Sequence, residues 1–435
     1  MLAFFKKYWV QMVNAILALR LLLYIFSMLH YILSPFTLDS HFGQTEFLIN
    51  YRGGFVRRGM FGEILYKLAT DCNIDIQYII GTVIWLSFIG LAYVFVRLLQ
   101  KNNVCWWIIP LNFTFFGADF IRKDYLCMLL VVGIIYFLNK DSMNRWSRYI
   151  TICLLSIALY NLHEAFFFVI GPFATYYLLF KDRAFKSFTA RLLWQLPVWG
   201  CFILLLKYHG DVSTALAIQN SWHELYPYQI PLIDETACEF LAPERNSITA
   251  LGWNTSETLH FHHSKIYIPS TLSALEPAGY IAMPLFYLLI MLFLSRYPYL
   301  FCKKTSILYG RNYTSFFLVV LFVFASMSPL YFGLSCDIAR LCMYWSITSL
   351  SILFIMGQKK IEELFPTSLN HVSEKANIWV DNVIKRPKLA CVAVIIFVGS
   401  PIYSYNFLQF ITNSVFGAFF YTPYIWLRVN GYLVW

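Results

Sequence analysis

The sequence predicts an all-α, polytopic integral membrane protein with about ten or eleven transmembrane helices and one long outward loop. Its 435 residues are 59% hydrophobic and 13% charged, which lies outside the range of soluble globular proteins. Apolar runs recur along the chain, and no polar stretch is long enough to fold separately, so we expect a single transmembrane domain over 1–435. The runs lack the alternation of a membrane barrel, which leaves helices as the spanning element.

The predicted spans follow the apolar runs, which are about 15 to 22 residues long. They lie near 14–35, 76–98, 104–118, 125–139, 149–162, 165–180, 192–206, 279–295, 314–333, 341–357 and 389–405. The short runs at 104–118, 149–162 and 165–180 predict paired helices or re-entrant hairpins.

Basic residues fall in alternate loops between these runs, and the positive-inside rule places those loops and the N-terminus in the cytoplasm. The outward set is then 36–75, 119–124, the turn around 163, the long loop 207–278, 334–340 and the tail after 405. The net charge of +10 therefore indicates membrane topology and not nucleic-acid binding. The ten cysteines show neither a C-x-x-C pair nor a Cys/His metal spacing, so we expect no disulfide framework, metal or cofactor.

The first outward loop, LDSHFGQTEFLINYRGGFVRRGMFGEILYKL, is unusually rich in arginine for that side of the membrane. Interleaved glycines would let a ligand approach the backbone closely, and arginines bind phosphate oxygens through two hydrogen bonds. The loop therefore predicts a phosphate or pyrophosphate site. The alternative is an interfacial amphipathic helix over about 55–68, whose arginines extend to lipid headgroups. The candidates are Arg52, Arg57 and Arg58 for the anion, with Asp39 and Glu46 as acidic candidates.

Two further outward segments carry charge. The turn DFIRKDY contributes Arg122 and Lys123, which either join the anion site or simply cap two spans. SCDIARL places Asp337 and Arg340 three residues apart on one helical face. They either pair with each other or present Arg340 to the same anion, with Asp337 holding it in orientation.

The segment NLHEAFFF places His163 and Glu164 between two short apolar runs, at or just below the membrane surface. Ionisable residues there are functional candidates, and either side chain could act as a general base. The alternative is a helix-capping role. In the long loop, aromatic residues such as Trp222 could stack on sugar faces or form an interfacial belt.

A polytopic chain with arginine-rich outward loops and a long outward loop resembles bacterial surface-polysaccharide assembly proteins, particularly O-antigen polymerases of the Wzy type. The resemblance covers most of the chain in hydropathy, although in those polymerases the largest loop commonly lies later than 207–278. YRGGFVRRG, NLHE and CDIAR are similar to recurring motifs of other polysaccharide-locus membrane proteins. Asp39 and Glu46 are placed similarly to the catalytic acid of membrane glycosyltransferases of the GT-C class.

These resemblances imply an enzyme of the bacterial inner membrane that transfers sugar from a polyprenyl-(di)phosphate donor on the outward face. Repeat-unit polymerisation is the first expectation, addition of a single sugar the second, and precursor transport the third. The expected partners are the polyprenyl-linked glycan, membrane lipids and other assembly proteins. Arginines would bind the diphosphate, and a carboxylate or His163 would deprotonate the acceptor hydroxyl, with no essential cation.

Overall fold

The computed structural model of the chain describes five main segments of it, at 42–103, 122–182, 187–225, 314–335 and 338–397. Short pieces at 7–8, 11–19, 247–248 and 284–293, and the single positions 22, 251, 256, 414 and 417, are also described. Across these residues the chain is helical and contains no strand, which confirms the all-α prediction for this part of it. The predicted span at 104–118 lies outside the described residues.

The helices run in the following order. They are α1 (Phe42–Thr45), continued by a 3-10 turn at Glu46–Leu48, α2 (Gly59–Cys72), α3 (Ile76–Lys101), α4 (Asp124–Leu138), α5 (Arg145–Leu162), α6 (Phe166–Tyr176), continued by a π-helical turn at Tyr177–Lys181, α7 (Phe188–Leu193), α8 (Leu196–Lys207), α9 (Val212–Ser221), continued by a 3-10 turn at Trp222–Glu224, α10 (Thr314–Ser326), followed by a π-helical turn at Leu330–Leu334, α11 (Ile338–Leu364), α12 (Thr367–Val383) and α13 (Pro387–Phe397).

Three helical stretches within the described residues are long and apolar enough to cross a membrane by length and composition: Ile76–Lys101, Phe188–Lys207 and Arg340–Leu364. Shorter apolar helices occupy four of the other predicted runs. They are Asp124–Leu138, Phe166–Lys181, Pro284–Phe293 and Phe316–Ser326. Where the structure describes them, the apolar runs of the sequence therefore correspond to helices, including the short runs at 149–162 and 165–180.

The chain divides into two compact units. We call Leu29–Val94 with Asp119–His263 the site unit, because it contains most of the candidate site residues. The C-terminal unit comprises Met1–Met28, Phe95–Ala118 and Ser264–Trp435. Each unit is built from segments that are distant in the sequence.

In the site unit, helices α4, α5 and α6 pack together and alternate in direction. Arg148 joins the ends of these helices that the sequence predicts to be cytoplasmic. Its guanidinium donates to Asp182 and, at 3.2 Å, to Asp141. Arg148 is 4% exposed, so this charge is buried and compensated. With 15 residues, α4 spans about 22 Å, so the opposite ends of these helices form a separate polar layer.

The segment 47–53 packs against α9 and the turn that follows it. The indole Nε1 of Trp222 donates to the Leu48 carbonyl at 2.9 Å, and Asn50 Nδ2 donates to Ser221 Oγ at 2.9 Å. These contacts bring together parts of the segments 36–75 and 207–278, and the orientation of both towards the outside stays a prediction. Trp222 is only 1% exposed, so the expectation that it stacks on a sugar face is wrong.

In the C-terminal unit, α11 packs against α10. The Trp345 indole donates to the Val320 carbonyl at 2.9 Å and lies against the ring of Tyr287. The backbone of α11 is non-helical at Gly357, where φ is 76° and ψ is 164°. Glycine adopts this conformation without the Cβ clash that other residues would meet, so the helix can change direction there.

The sidedness of the chain can be tested with a new cysteine on each predicted face. Ser373, a natural choice for the cytoplasmic side, is fully buried in α12, so the exposed Ser368 is the better position. We expect a membrane-impermeant maleimide to modify Ser213→Cys in intact cells. The same reagent should modify Ser368→Cys only after the inner membrane has been permeabilised.

The readout is a gel shift above that given by the native cysteines, among which Cys72 is itself exposed. The reverse pattern, with Ser368→Cys modified in intact cells and Ser213→Cys protected, would invert the predicted topology.

Candidate functional site

The carboxylate of Glu164 is the centre of a buried ion-pair network in the site unit. Glu164 lies between the end of α5 and the start of α6. Arg58 donates two hydrogen bonds to the Glu164 carboxylate, from Nε to Oε2 at 2.8 Å and from Nη2 to Oε1 at 2.7 Å. Arg57 adds a third, from Nη1 to Oε1 at 3.2 Å. Residues more than 100 positions apart in the sequence are thereby joined at one carboxylate.

Arg57 and Arg58 precede helix α2, so they lie in the loop and not on the helix surface. Arg58 has the left-handed conformation, with φ at 65°, and serves as the N-cap of α2. The backbone N–H of Arg57 donates to the Tyr208 carbonyl at 2.9 Å. Both side chains turn inward to Glu164 and are 20% and 15% exposed. This contradicts the alternative in which they extend from an amphipathic helix to lipid headgroups.

Glu46 is a second acidic centre, and it is 1% exposed. Its Oε1 lies 3.6 Å from Arg58 Nη1 and 3.8 Å from Arg122 Nη1. The Lys123 ammonium donates to the Glu46 backbone carbonyl at 3.2 Å. Arg58 therefore bridges the two carboxylates, and the turn before α4 contributes both of its basic residues to the same cluster.

Burial and neighbouring charges perturb the protonation equilibria of this cluster. Burial alone would raise the pKa of Glu164, but Arg58 and Arg57 outweigh it and hold that pKa well below its usual range. Burial lowers the pKa of Lys123 despite the opposing effect of Glu46. Glu164 is therefore ionised at neutral pH and is a weak proton acceptor, which argues against its assignment as the general base.

His163 is a candidate hydrogen-bond donor in this arrangement. Its Nδ1 accepts the backbone N–H of Ala165 at 3.3 Å and lies 3.9 Å from Glu164 Oε2. An imidazole that accepts at Nδ1 carries its proton on Nε2. His163 is then suited to donate to an anionic oxygen, which differs from the role of base that the sequence suggested.

The glycines of the first loop have intramolecular roles. A Cβ on Gly53 would lie 2.5 Å from the Thr214 carbonyl oxygen, and one on Gly62 would lie 1.8 Å from that of Ile49. Gly54 has φ at 106° and closes a turn onto the Tyr51 carbonyl. These contacts explain the glycines as turn and packing positions, so they no longer indicate a ligand by themselves.

Four of the sequence candidates remain. The Arg52 guanidinium is centred 4.4 Å from the Tyr66 ring, and the Tyr66 hydroxyl donates to Glu224. Arg340 belongs to the C-terminal unit, where it lies over the ring of Tyr344. Asp39 and Asp337 lie outside the part of the chain that the structure describes.

Asp124 is a site residue that the sequence analysis left out. It is fully buried at the first turn of α4, directly after Lys123. A carboxylate at a helix N-terminus interacts favourably with the helix dipole, which provides one reason for its burial there. Its position in DFIRKDY, next to the candidate residues Arg122 and Lys123, could have identified it from the sequence.

Among the described residues, no group of three or more His, Cys, Asp and Glu side chains is arranged to hold a metal ion. Comparison with known proteins gives no family: no family model matches the chain, and neither a curated protein nor a solved structure shows significant similarity to it. The functional argument therefore rests on the geometry of the cluster.

Replacing Glu164 with glutamine should destabilise the protein, because Arg57 and Arg58 would lose the charge that compensates their burial. Removing one partner of a buried ion pair costs about 3–5 kcal/mol. We expect a fall in the thermal midpoint of roughly 5 °C or more, measured by tryptophan fluorescence of the purified full chain.

Lys67→Ala is the matched control, because Lys67 pairs with Glu63 at 3.6 Å while remaining 62% exposed. Such a surface pair contributes little, so its midpoint should be almost unchanged. The folded-state pKa of Glu164 is depressed, so its contribution is complete above the ordinary value of 4.5 and is lost as pH falls below it. Equal midpoints for Glu164→Gln and the wild type from pH 7 to pH 4 would refute this role.

Proposed function

We propose that the protein is a polytopic membrane enzyme that transfers a sugar or oligosaccharide from a polyprenyl-diphosphate donor. The transfer takes place on the outward face of the bacterial inner membrane, during assembly of a surface polysaccharide. Repeat-unit polymerisation is the favoured reaction. The observation that carries the proposal is the concentration of basic side chains at one end of the packed helices α4, α5 and α6, where a lipid-linked anion would arrive.

The density of basic side chains in the cluster supports an anionic ligand. Arg57 and Arg58 meet at Glu164, and Arg122 and Lys123 contact Glu46. All four side chains are buried or largely buried. An anion bound among such closely spaced basic groups would form charge-assisted hydrogen bonds in a partly desolvated setting.

The pairing with Glu164 also orients the arginines before any ligand binds. Arg57 donates to Glu164 and is the more exposed of the pair, at 20% against 15% for Arg58. Arg58 donates to the same carboxylate from Nε and Nη2. We therefore assign Arg57 as the principal phosphate ligand, because a ligand reaches it more readily, while Glu164, held by Arg58, keeps it in position.

The proposed reaction is a nucleophilic substitution at the anomeric carbon of the donor. The acceptor hydroxyl oxygen forms the new glycosidic bond, and its proton passes to a carboxylate. The bond from the anomeric carbon to the phosphate oxygen breaks, and the diphosphate leaves with the electron pair. Arg57, Arg122 and the Nε2–H of His163 stabilise that growing charge. Glu46 is the better candidate for the base, since three hydrogen bonds from Arg57 and Arg58 stabilise the Glu164 carboxylate and make it a weak proton acceptor.

A single-sugar transferase of the GT-C kind is the second candidate, and the burial of Glu46 among basic residues in the first outward segment favours it. A precursor transporter is the third candidate. A row of buried hydroxyls in α11, from Ser346, Thr348, Ser349 and Ser351, supplies polar groups inside an apolar helix, as a transport path requires.

The anion site predicts that inorganic pyrophosphate stabilises the purified full chain. A ligand at about one hundred times its Kd adds roughly 2.7 kcal/mol to the free energy of unfolding. Arg57→Ala should weaken pyrophosphate binding by about ten- to hundred-fold, since a charge-assisted hydrogen bond contributes about 1.5–3 kcal/mol. Arg57→Lys should recover only part of the loss, because lysine keeps the charge but not the planar fork.

Arg57 is the informative position, because substitution of Arg58 would also remove its two bonds to Glu164. Lys67→Ala again serves as the control, as it removes an exposed positive charge from the same unit. If pyrophosphate raises the thermal midpoint of a folded Arg57→Ala variant as much as that of the wild type, Arg57 is excluded as a phosphate ligand.

Analysis of the surface glycan from a deletion strain tests the reaction itself. Single-repeat glycan is the result expected of a polymerase, and a plasmid carrying Glu46→Gln should fail to restore long chains while the wild-type gene succeeds. Full-length chains lacking one sugar would indicate the single-sugar transferase. Accumulation of lipid-linked precursor on the cytoplasmic side would indicate transport, and unaltered glycan would reject all three.

A further inference from the structure

Helix α12, at Thr367–Val383, buries two polar residues and leaves several large apolar residues exposed. Ser373 and Asn377 are 0% and 6% exposed, on the side that packs against α10. By contrast, Val372 and Trp379 are 62% and 67% exposed. This arrangement is the reverse of that in a soluble protein, where the apolar side of a surface helix faces the core.

Four of the exposed apolar residues of α12 form one stripe, while a fifth, Ile378, lies on the other side of the helix. Leu369, Val372, Trp379 and Val383 are all exposed, and the spacing of three, seven and four residues keeps them on one side of a helix. His371, Glu374 and Asp381 are also exposed and fall on the opposite side. Helix α12 therefore has an apolar face and a polar face, both uncovered, beside the face that packs on α10.

The position of α12 in the chain brings it close to the end of an apolar helix. Helix α11 ends at Leu364, three residues before α12 begins, and α13 begins four residues after α12 ends. The connection between α11 and α12 is held in place, because Asn370 Nδ2 donates to the carbonyls of Glu362 at 3.1 Å and Phe365 at 3.5 Å. If α11 crosses the bilayer, α12 therefore begins at the membrane surface.

We propose that α12 lies in the plane of the membrane surface, with its apolar stripe inserted among phospholipid acyl chains just below the headgroups. The proposal rests on the membrane architecture proposed above and does not depend on glycosyl transfer. Trp379 is at the centre of the stripe, and tryptophan favours this depth of the bilayer. The exposed Lys385 and Arg386, directly after the helix, are placed to meet lipid phosphates.

The dimensions and charges of the surface favour lipid over a protein partner. A stable protein interface buries about 800 Å² on each partner, which is more than one narrow stripe of a 17-residue helix offers. The polar face carries Glu374 and Asp381, so attraction to anionic headgroups is not the main force. Burial of apolar surface drives the insertion, which should therefore be insensitive to salt.

Photo-crosslinking from the full chain in its native membrane tests the proposal. A benzophenone amino acid placed at Val372 should form phospholipid adducts, detected by mass spectrometry of the gel-purified chain. The same amino acid at Glu374, which is exposed on the opposite side of the helix, should give at least ten-fold fewer. The pair Trp379 and Asp381 repeats the comparison with independent variants. High salt during illumination should not change the yields.

Three outcomes would overturn the proposal: equal lipid labelling from Val372 and Glu374, crosslinks from Val372 to a second copy of the chain, or crosslinks from Val372 to another protein. Extraction with alkaline carbonate is carried out in parallel. A chain that is released by carbonate would refute the membrane architecture, whereas a retained chain without lipid adducts would refute only the placement of α12.

Discussion

The pairing of Glu164 with Arg58 is the constraint on which the geometry of the site unit depends. Glu164 connects α5 to α6, while Arg58 ends the first loop and starts α2, so their two hydrogen bonds fix the loop against the helices. The left-handed conformation of Arg58 costs about 1–2 kcal/mol for a residue with a Cβ. Two charge-assisted bonds outweigh that cost and keep the guanidinium pointing inward.

The other close contacts of the first loop follow from this docking. With Arg58 fixed, α2 passes so near to the preceding segment that only glycine fits at position 62, against the Ile49 carbonyl. The same segment is held on its other side by Trp222 and Ser221. At the opposite ends of α4 and α5, Arg148 and its aspartates form a second buried pair. Two polar layers, separated by the length of the helices between them, are the arrangement expected of a membrane-embedded unit.

Hydropathy predicted the helices well, since it depends on the local solvent of each segment. The run at 76–98 became Ile76–Lys101, and the run at 125–139 became Asp124–Leu138. The partners of charged residues were not predictable in this way. Arg57 could reach a headgroup or a carboxylate, and only the fold brings Glu164 to it from 107 positions away. Helix α12 was likewise not predicted, because the segment 367–383 contains no apolar run long enough to be read as a span.

The sharing of Glu164 by two arginines explains how the proposed site could bind a diphosphate and release it. Two unpaired guanidinium groups, desolvated together, would repel each other and adopt several orientations. Glu164 lies between Arg57 and Arg58 and orients both, while Glu46 lies 3.6 Å from Arg58 on its other side. In the proposed site the charge that attracts the diphosphate is that of Arg57, the more exposed arginine. The Arg57 guanidinium is oriented before the reaction begins, and its attraction to the leaving group grows as that group gains negative charge. An interaction that is stronger in the transition state than in the ground state favours catalysis over tight substrate binding.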